Sequence, residues 1–330
     1  MKKIIVFGLL VVFLTSLGME NNKDLLTLFC GASINKGKIG KPQEDGVTLS
    51  LINNSLINFK TLTSDLNKQQ ENFFLADTSG SAFFCGVYDG HGGNFVSEYL
   101  QQNCHKRFLE HLINNNNQEN AIKNSLLATL KDMETEALNK FKQSGGSTAV
   151  ISYIKNNILY VAYVGDSRLV LEKNGNVLSF TRDHKPDNED EKKRILAIKG
   201  CSIEPDFGKK YPMRTWPSSL NVTRTIGDLK NKLSANGQTI EYKDIIADPE
   251  YLEIELDKGN RFIIQATDGV WDVMSNKQAV DFVTEGLNNG KALDIIAKEL
   301  IAEAMRLDVK GKVPEVSNDN ISVVIVRLGW

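Results

Sequence analysis

The segment from Ser147 to Phe180 limits the possible folds more than any other. STAVISYI, NILYVAYV, SRLVLEK and VLSF are short runs with a period of two, the spacing of strands and not of helices. Asn156-Asn157 and Asn174-Gly175-Asn176 lie between two of the pairs, and such residues accept the left-handed backbone of hairpin turns. This part of the chain therefore reads as antiparallel sheet. Further strands are expected at Gly46 to Ile52, Ala82 to Tyr88, Arg261 to Ala266 and Asn320 to Leu328.

Helical spacing takes over elsewhere. Val96, Leu100, Cys104, Phe108 and Leu112 recur every four residues, and Ile122, Leu126, Leu130 and Met133 repeat the pattern. Asp187 to Lys199, Lys277 to Leu287 and Lys291 to Arg306 read as three more helices. Residues 53–80 read as a long loop or a hairpin of weak register, and residues 200–245 as an irregular excursion. Helices grouped beside a mostly antiparallel meander make the fold α+β and not doubly wound. No Pro- or Gly-rich linker and no internal repeat divides the chain, so residues 31–328 are expected to form a single domain behind an extension at 19–30.

Composition narrows the function. With 41% hydrophobic and 24% charged residues the chain can bury a sizeable core. A formal net charge of −2 offers no basic excess for a nucleic-acid partner. Cys30, Cys85, Cys104 and Cys201 are widely spaced without a CxxC pair, so free buried thiols are expected rather than a zinc site or disulfide framework. At the N-terminus, Lys2-Lys3 precedes an uncharged apolar run that ends near Ser16-Leu17-Gly18. Residues 1–18 read as a secretory signal peptide, with a membrane anchor and a true start at Met19 as the alternatives. The chain is then exported or membrane-anchored if the segment acts as a signal, and cytoplasmic otherwise.

Five acidic motifs stand at the ends of apolar segments: Glu44-Asp45, Asp89-Gly90, Asp166, Asp268 with Asp272, and Asp319. Each alone is a good turn, because aspartate suits turns and not strands. If the strands lie side by side, however, their ends gather the carboxylates at one edge, where they repel one another unless cations neutralise them. Oxygen ligands with few histidines point to Mg²⁺ or Mn²⁺. Two such ions can activate a water between them and offset charge on a phosphoryl group during in-line attack.

ED, DGHGG, GGSTA, GDSR, TRDHKP, TRTIGD, ATDGVWD and NDNISVVIV follow in this order. The sequence resembles the type 2C metal-dependent Ser/Thr protein phosphatases, the PPM family, from about Gly31 to Leu328. The resemblance implies a four-layer αββα sandwich of two antiparallel sheets flanked by helices, with a binuclear metal centre at one end. It implies that Asp45, Asp89, the Gly90 carbonyl, Asp268 and Asp319 hold two Mg²⁺ or Mn²⁺ ions per chain, with Asp89 bridging them. Glu44 then acts through a metal-bound water, and Asp166 and Asp272 join Asp268 in a third, weaker site. The implied reaction is hydrolysis of phosphoserine and phosphothreonine in proteins by direct attack of a metal-bridging water or hydroxide. His91 is the implied general acid for the departing oxygen, with a side-chain pKa near neutrality that suits the task. Residues 201–222 match the family's variable flap. Phosphorylated proteins are the expected partners, membranes only if the N-terminal segment is retained, and the chain is read as a monomer.

One position departs from the pattern. Where many members carry an arginine that binds phosphate, this chain has Gly40; Lys38 and Lys41 are close by as point charges without the bidentate fork. Arg224 and His184 read as structural, and Asp228 as supporting the site at most indirectly. GASINKGK is not a P-loop, because its spacing is one residue too long and Ile39 replaces the required Ser or Thr. Asn53, Asn221 and Asn320 begin sequons, and a glycan on Asn320 would collide with a ligand at Asp319. The alternative function is a catalytically impaired binding module that recognises phosphorylated partners. A different two-metal hydrolase, such as a phosphodiesterase, lacks support without histidine-rich motifs.

Overall fold

The computed structural model describes residues 27–35, 43–52, 59–63, 70–77, 82–115, 119–141, 145–179, 181–205, 212–232, 243–309 and 319–330. Residues 1–18, Lys38, Gly40 and Lys41 lie outside them. No helix among the described residues is long and apolar enough to cross a membrane.

In chain order the first strands are β1 Thr27–Asn35, β2 Gly46–Ile52, β3 Phe59–Thr63, β4 Gln70–Asp77, β5 Ala82–Tyr88 and the short β6 Gly90–His91. Two long helices follow, α1 Phe95–Asn114 and α2 Ala121–Lys140. Next come β7 Gly146–Ser147, β8 Ala149–Lys155, β9 Ile158–Val164, β10 Arg168–Lys173 and β11 Asn176–Ser179. The excursion holds α3 Glu189–Leu196, β12 Ser202–Pro205, β13 Met213–Trp216, β14 Ile226–Gly227 and α4 Leu229–Lys232. The chain closes with β15 Glu250–Glu255, β16 Asn260–Ala266, α5 Asp268–Trp271, α6 Asn276–Asn288, α7 Leu293–Val309 and β17 Ile321–Gly329.

Two six-stranded sheets dominate, ordered β11-β10-β16-β17-β1-β4 and β15-β9-β8-β5-β2-β3. Every neighbouring pair in both is antiparallel. Asn156, Asn157 and Asn174 take positive φ, so both hairpin turns form as their residues dictate. The four-strand meander is nevertheless divided. β8 and β9 belong to one sheet and β10 and β11 to the other, and Gly165-Asp166-Ser167 is the crossing between them. Within residues 53–80 the described strands are divided in the same way: β3 pairs with β2 in one sheet and β4 with β1 in the other.

The parity of each strand makes three apolar layers. Leu28, Cys30, Ala32, Val47, Leu49, Cys85, Val87, Val161, Ile263, Val324 and Val326 fill the space between the sheets. The alternate residues face outward. Phe84, Tyr88, Ala149, Ile151 and Tyr153 pack on Leu100, Cys104 and Phe108 of α1 and on Leu126, Leu130 and Met133 of α2. Phe262, Ile264, Val323 and Ile325 pack on Val280 and Val283 of α6 and on Ile296, Leu300 and Ala304 of α7. A strand covered on both faces must be apolar throughout, which accounts for the unbroken run at Ala82 to Tyr88. The order is thus α, β, β, α, as expected of the fold class. Cys30, Cys85 and Cys104 are buried and Cys201 is half-buried, all four free.

Candidate metal centre

Strand register gathers the acidic motifs. Gly46 pairs with Tyr88, so Asp45 before β2 and Asp89 after β5 share an edge. Ala266 pairs with Val323, so Asp268 after β16 lies beside the start of β17, where Asp319 stands. Asp45 ties the two sheets together: its Oδ2 accepts from Ser322 Oγ at 2.8 Å and from Thr267 Oγ1 at 3.3 Å. Asp166 arrives by the crossing between the sheets. Thr148 links it to Asp89, because its backbone N–H donates to the Asp89 carbonyl at 2.8 Å and its Oγ1 meets Ser167 Oγ at 2.7 Å.

The result is a dense patch of negative charge. Burial, followed by the fields of Asp45, Asp268, Asp319 and Asp166, holds the Asp89 carboxyl well above the usual range. Asp268 is raised in the same way, by burial and then by Asp166, Asp272 and Asp319. Burial pushes Asp166 up to about 6 even though Lys185 opposes the shift. Asp268 Oδ1 is buried without a hydrogen-bond partner. At Gly90 a Cβ would lie 2.4 Å from the Glu44 carbonyl and 2.6 Å from Ser97 Oγ, so only glycine lets the chain pass there. A partnerless oxygen, mutual repulsion and an all-oxygen donor set fit a hard divalent cation. Among the described residues no three acidic, histidine or cysteine side chains converge as a ready-made ligand set. Asp45 is turned to the hydroxyls of Ser322 and Thr267.

Glu44, Asp166 and Asp272 also lie at this patch, each with protein contacts of its own. Glu44 sits beside the patch, but its Oε1 accepts from the Gly93 N–H at 2.7 Å and its own N–H donates to Asn320 Oδ1 at 2.9 Å. It therefore anchors the turn into α1. Asn320 is 1% exposed, which keeps a glycan off it. Asp166, Asp268 and Asp272 instead each approach an ammonium. Lys185 Nζ lies 2.5 Å from Asp272 Oδ1, 3.6 Å from Asp166 Oδ2 and 4.0 Å from Asp268 Oδ2. The positions expected to form a third metal site thus share a lysine of TRDHKP that sequence reasoning did not single out. Lys38 and Lys41, the expected phosphate ligands, are outside the described residues.

His91 follows Asp89 on β6, and its side chain is 31% exposed. Its Nε2 meets both oxygens of Asp228, at 3.1 and 2.9 Å. Burial disfavours the charged ring, but Asp228 outweighs it and the His91 pKa lies above its ordinary value. Asp228 itself is depressed despite burial, through His91, Lys232 and Thr225. Asp228, expected to support the site at most indirectly, reaches it through His91. Inclusion in TRTIGD was its only sequence signal.

Arg224 and His184 are structural, as expected. Arg224 Nη2 pairs with Glu191 Oε1 at 2.5 Å. His184 Nδ1 accepts from the Gly165 N–H at 2.9 Å, and its ring stacks on Tyr163 at 5.2 Å. In the flap region, β12 and β13 form a hairpin whose following turn is held by buried Asp244. That carboxylate accepts from Ser218 N and Ser218 Oγ, both at 2.9 Å.

Comparison with known proteins points in one direction. A family model described as protein phosphatase 2C matches residues 53–313. Asp45 and Asp319 lie outside that span and join the site through the strand register. A probable protein phosphatase 2C of Oryza sativa subsp. japonica is 29% identical over 311 residues, 84% of either chain. One of Caenorhabditis elegans is 33% identical over 255 residues, which cover 77% of this chain and 68% of the relative. The crystal structure of a serine-threonine phosphatase 2C from Toxoplasma gondii aligns with a TM-score of 0.67 at 22% identity, over 92% of this chain and 95% of the other. At that identity the likeness speaks for the fold alone.

Proposed function

The chain belongs to the protein phosphatase 2C family, and from that premise we propose that it hydrolyses phosphoserine and phosphothreonine in proteins with the help of divalent cations. One observation carries the reading: five buried or half-buried carboxylates, Asp45, Asp89, Asp166, Asp268 and Asp319, crowd one edge of the sandwich, where burial and the neighbouring acids raise the proton affinity of Asp89 and Asp268. A decayed site would be expected to lose at least one aspartate, and here every expected metal position is filled, which supports an active enzyme over an impaired binding module.

Asp45, Asp89, the Gly90 carbonyl, Asp268 and Asp319 would hold two Mg²⁺ or Mn²⁺ ions. Such ions, when bound, acidify water and neutralise charge on the phosphoryl group. The chain supplies the remainder. Rigid strand ends hold the carboxylates, and the Asp45 bonds to Ser322 and Thr267 keep the two sheets in fixed relation. Glu44 holds the turn that carries His91 into α1. His91 stands at the rim, partly exposed, where it can donate a proton to the departing Ser or Thr oxygen.

The test is hydrolysis of phosphoserine, phosphothreonine and phosphotyrosine peptides with Mn²⁺, Mg²⁺ or EDTA. Turnover of the first two with either metal, and none in EDTA, is expected. Turnover that persists in EDTA would contradict the reading. Asp89→Asn and Asp268→Asn should lose activity and bind less Mn²⁺ by calorimetry while remaining folded.

A further inference from the structure

Resting on the hydrolase reading above, we propose that Asp228 is the positioning residue of the proton donor: it grips His91 through Nε2 and thereby makes Nδ1 the atom that delivers the proton. The geometry carries this. Nε2 lies within hydrogen-bond distance of both Asp228 oxygens, at 3.1 and 2.9 Å, so the Nε2 proton is committed to the carboxylate. Nδ1 has no hydrogen-bond partner among the described residues, and the His91 side chain is 31% exposed, so that atom can meet a substrate.

Asp228 is a deliberate fixture. It is 3% exposed and takes a left-handed φ of 54°, an uncommon conformation for a residue other than glycine. Its N–H donates to the Gly145 carbonyl at 2.8 Å, and its Oδ2 accepts from Thr225 Oγ1 at 2.6 Å. A Cβ on Gly146 would lie 2.2 Å from Oδ2, so the GG of GGSTA makes the space the carboxylate occupies. The loop is braced from α2: Glu134 Oε2 accepts from the Gly227 N–H at 2.8 Å, and Glu134 Oε1 from Lys232 Nζ at 2.9 Å. Lys232 also donates to the Thr225 carbonyl at 2.6 Å. DGHGG, GGSTA and TRTIGD, far apart in sequence, thus build one device. Fixing Nε2 leaves the ring a single orientation.

The step balances as follows. Water oxygen bonds to phosphorus and ends in inorganic phosphate, releasing one proton to solvent. The bond from phosphorus to the Ser or Thr oxygen breaks, and its electron pair stays on that oxygen. The oxygen takes the proton from Nδ1, whose bonding pair returns to the ring. The neutral ring keeps its Nε2–H bond to Asp228, and solvent reprotonates Nδ1.

The experiment compares Asp228→Asn, His91→Ala and the double variant on a phosphoserine peptide and on p-nitrophenyl phosphate, all with Mn²⁺. The alkoxide of serine needs a proton to leave; p-nitrophenolate does not. Asp228→Asn should lose about 100-fold more kcat on the peptide than on p-nitrophenyl phosphate, the scale of general acid catalysis. In the His91→Ala background the same substitution should add nothing, because it acts only through the ring. Equal losses on the two substrates, or an undiminished effect without His91, overturn the inference while leaving the phosphatase reading intact. No turnover of either substrate by the unaltered protein overturns both. If Asp228→Asn does not fold, Thr225→Val removes one bond to Oδ2 and should give a smaller split of about 3- to 10-fold; no split overturns the inference.

Discussion

Replacing Lys185 by methionine should cost the metal-free protein about 3 kcal/mol, a figure between that of an exposed ion pair and that of a fully buried one broken on one side. The ammonium has one carboxylate at 2.5 Å and two more at 3.6 and 4.0 Å. Its side chain is 20% exposed and that of Asp272 30%, which discounts the full buried value. Methionine keeps the stem's packing but removes the ammonium nearest to Asp166, Asp268 and Asp272. An unfolding entropy of roughly 2.1 cal/mol/K per residue over the roughly 250 described residues turns that loss into a fall in Tm of about 6 °C. The assay is thermal unfolding of both proteins in EDTA and then across a Mn²⁺ titration. Cations that bind the folded state alone stabilise it, and they should stabilise the variant more, since they supply the charge that the lysine did. The deficit should therefore shrink as Mn²⁺ rises. Equal Tm values in EDTA, or a deficit that ignores Mn²⁺, would refute the account of Lys185 as an internal counter-ion.

Glu191 offers a test by pH. Burial opposes its charge, but Arg224, Arg194 and Thr223 outweigh this and bring its pKa down to about 2. A depressed carboxylate stabilises the fold above its unfolded pKa and loses that contribution as pH falls through the folded value. From about pH 4.5 down to about pH 2 the native protein should lose about 3 kcal/mol through this group, and Glu191→Gln should show a correspondingly flatter curve by urea unfolding. In the outer layer, Phe108 stacks on Phe84 at 5.6 Å and meets Tyr153 edge-on at 4.8 Å. Phe108→Ala should cost about 3–5 kcal/mol by chemical denaturation, and a loss within 1 kcal/mol would show that α1 is not held by this contact.

Much of the architecture was legible because burial leaves a period. β5, β8, β9, β16 and β17 are apolar on both faces, and α1 and α2 repeat every four residues, so patterning marked their places. β1 was harder. Thr27–Asn35 begins inside the expected extension and carries Cys30, Gly31 and Ala32, small residues with little apolar signal, although it pairs with β17 along its whole length. β15 is an edge strand with Glu250, Glu253 and Glu255, charges that blunt an edge and also hide a strand.

The sequence by itself determined which carboxylates stand at the ends of strands. Aspartates are expelled from strand interiors by their side chains, so those standing at strand ends announce themselves in any folded arrangement. Which of them meet was decided only by the tertiary structure. The crossing at Gly165-Asp166-Ser167 puts β9 and β10 in different sheets, and nothing in its residues distinguishes it from a hairpin turn. Lys185 reaches Asp272 across 87 residues and Asp228 reaches His91 across 137. Such contacts leave no local periodicity, because they depend on the registers of two sheets and the packing between them, and each is an interaction of one side chain with one other.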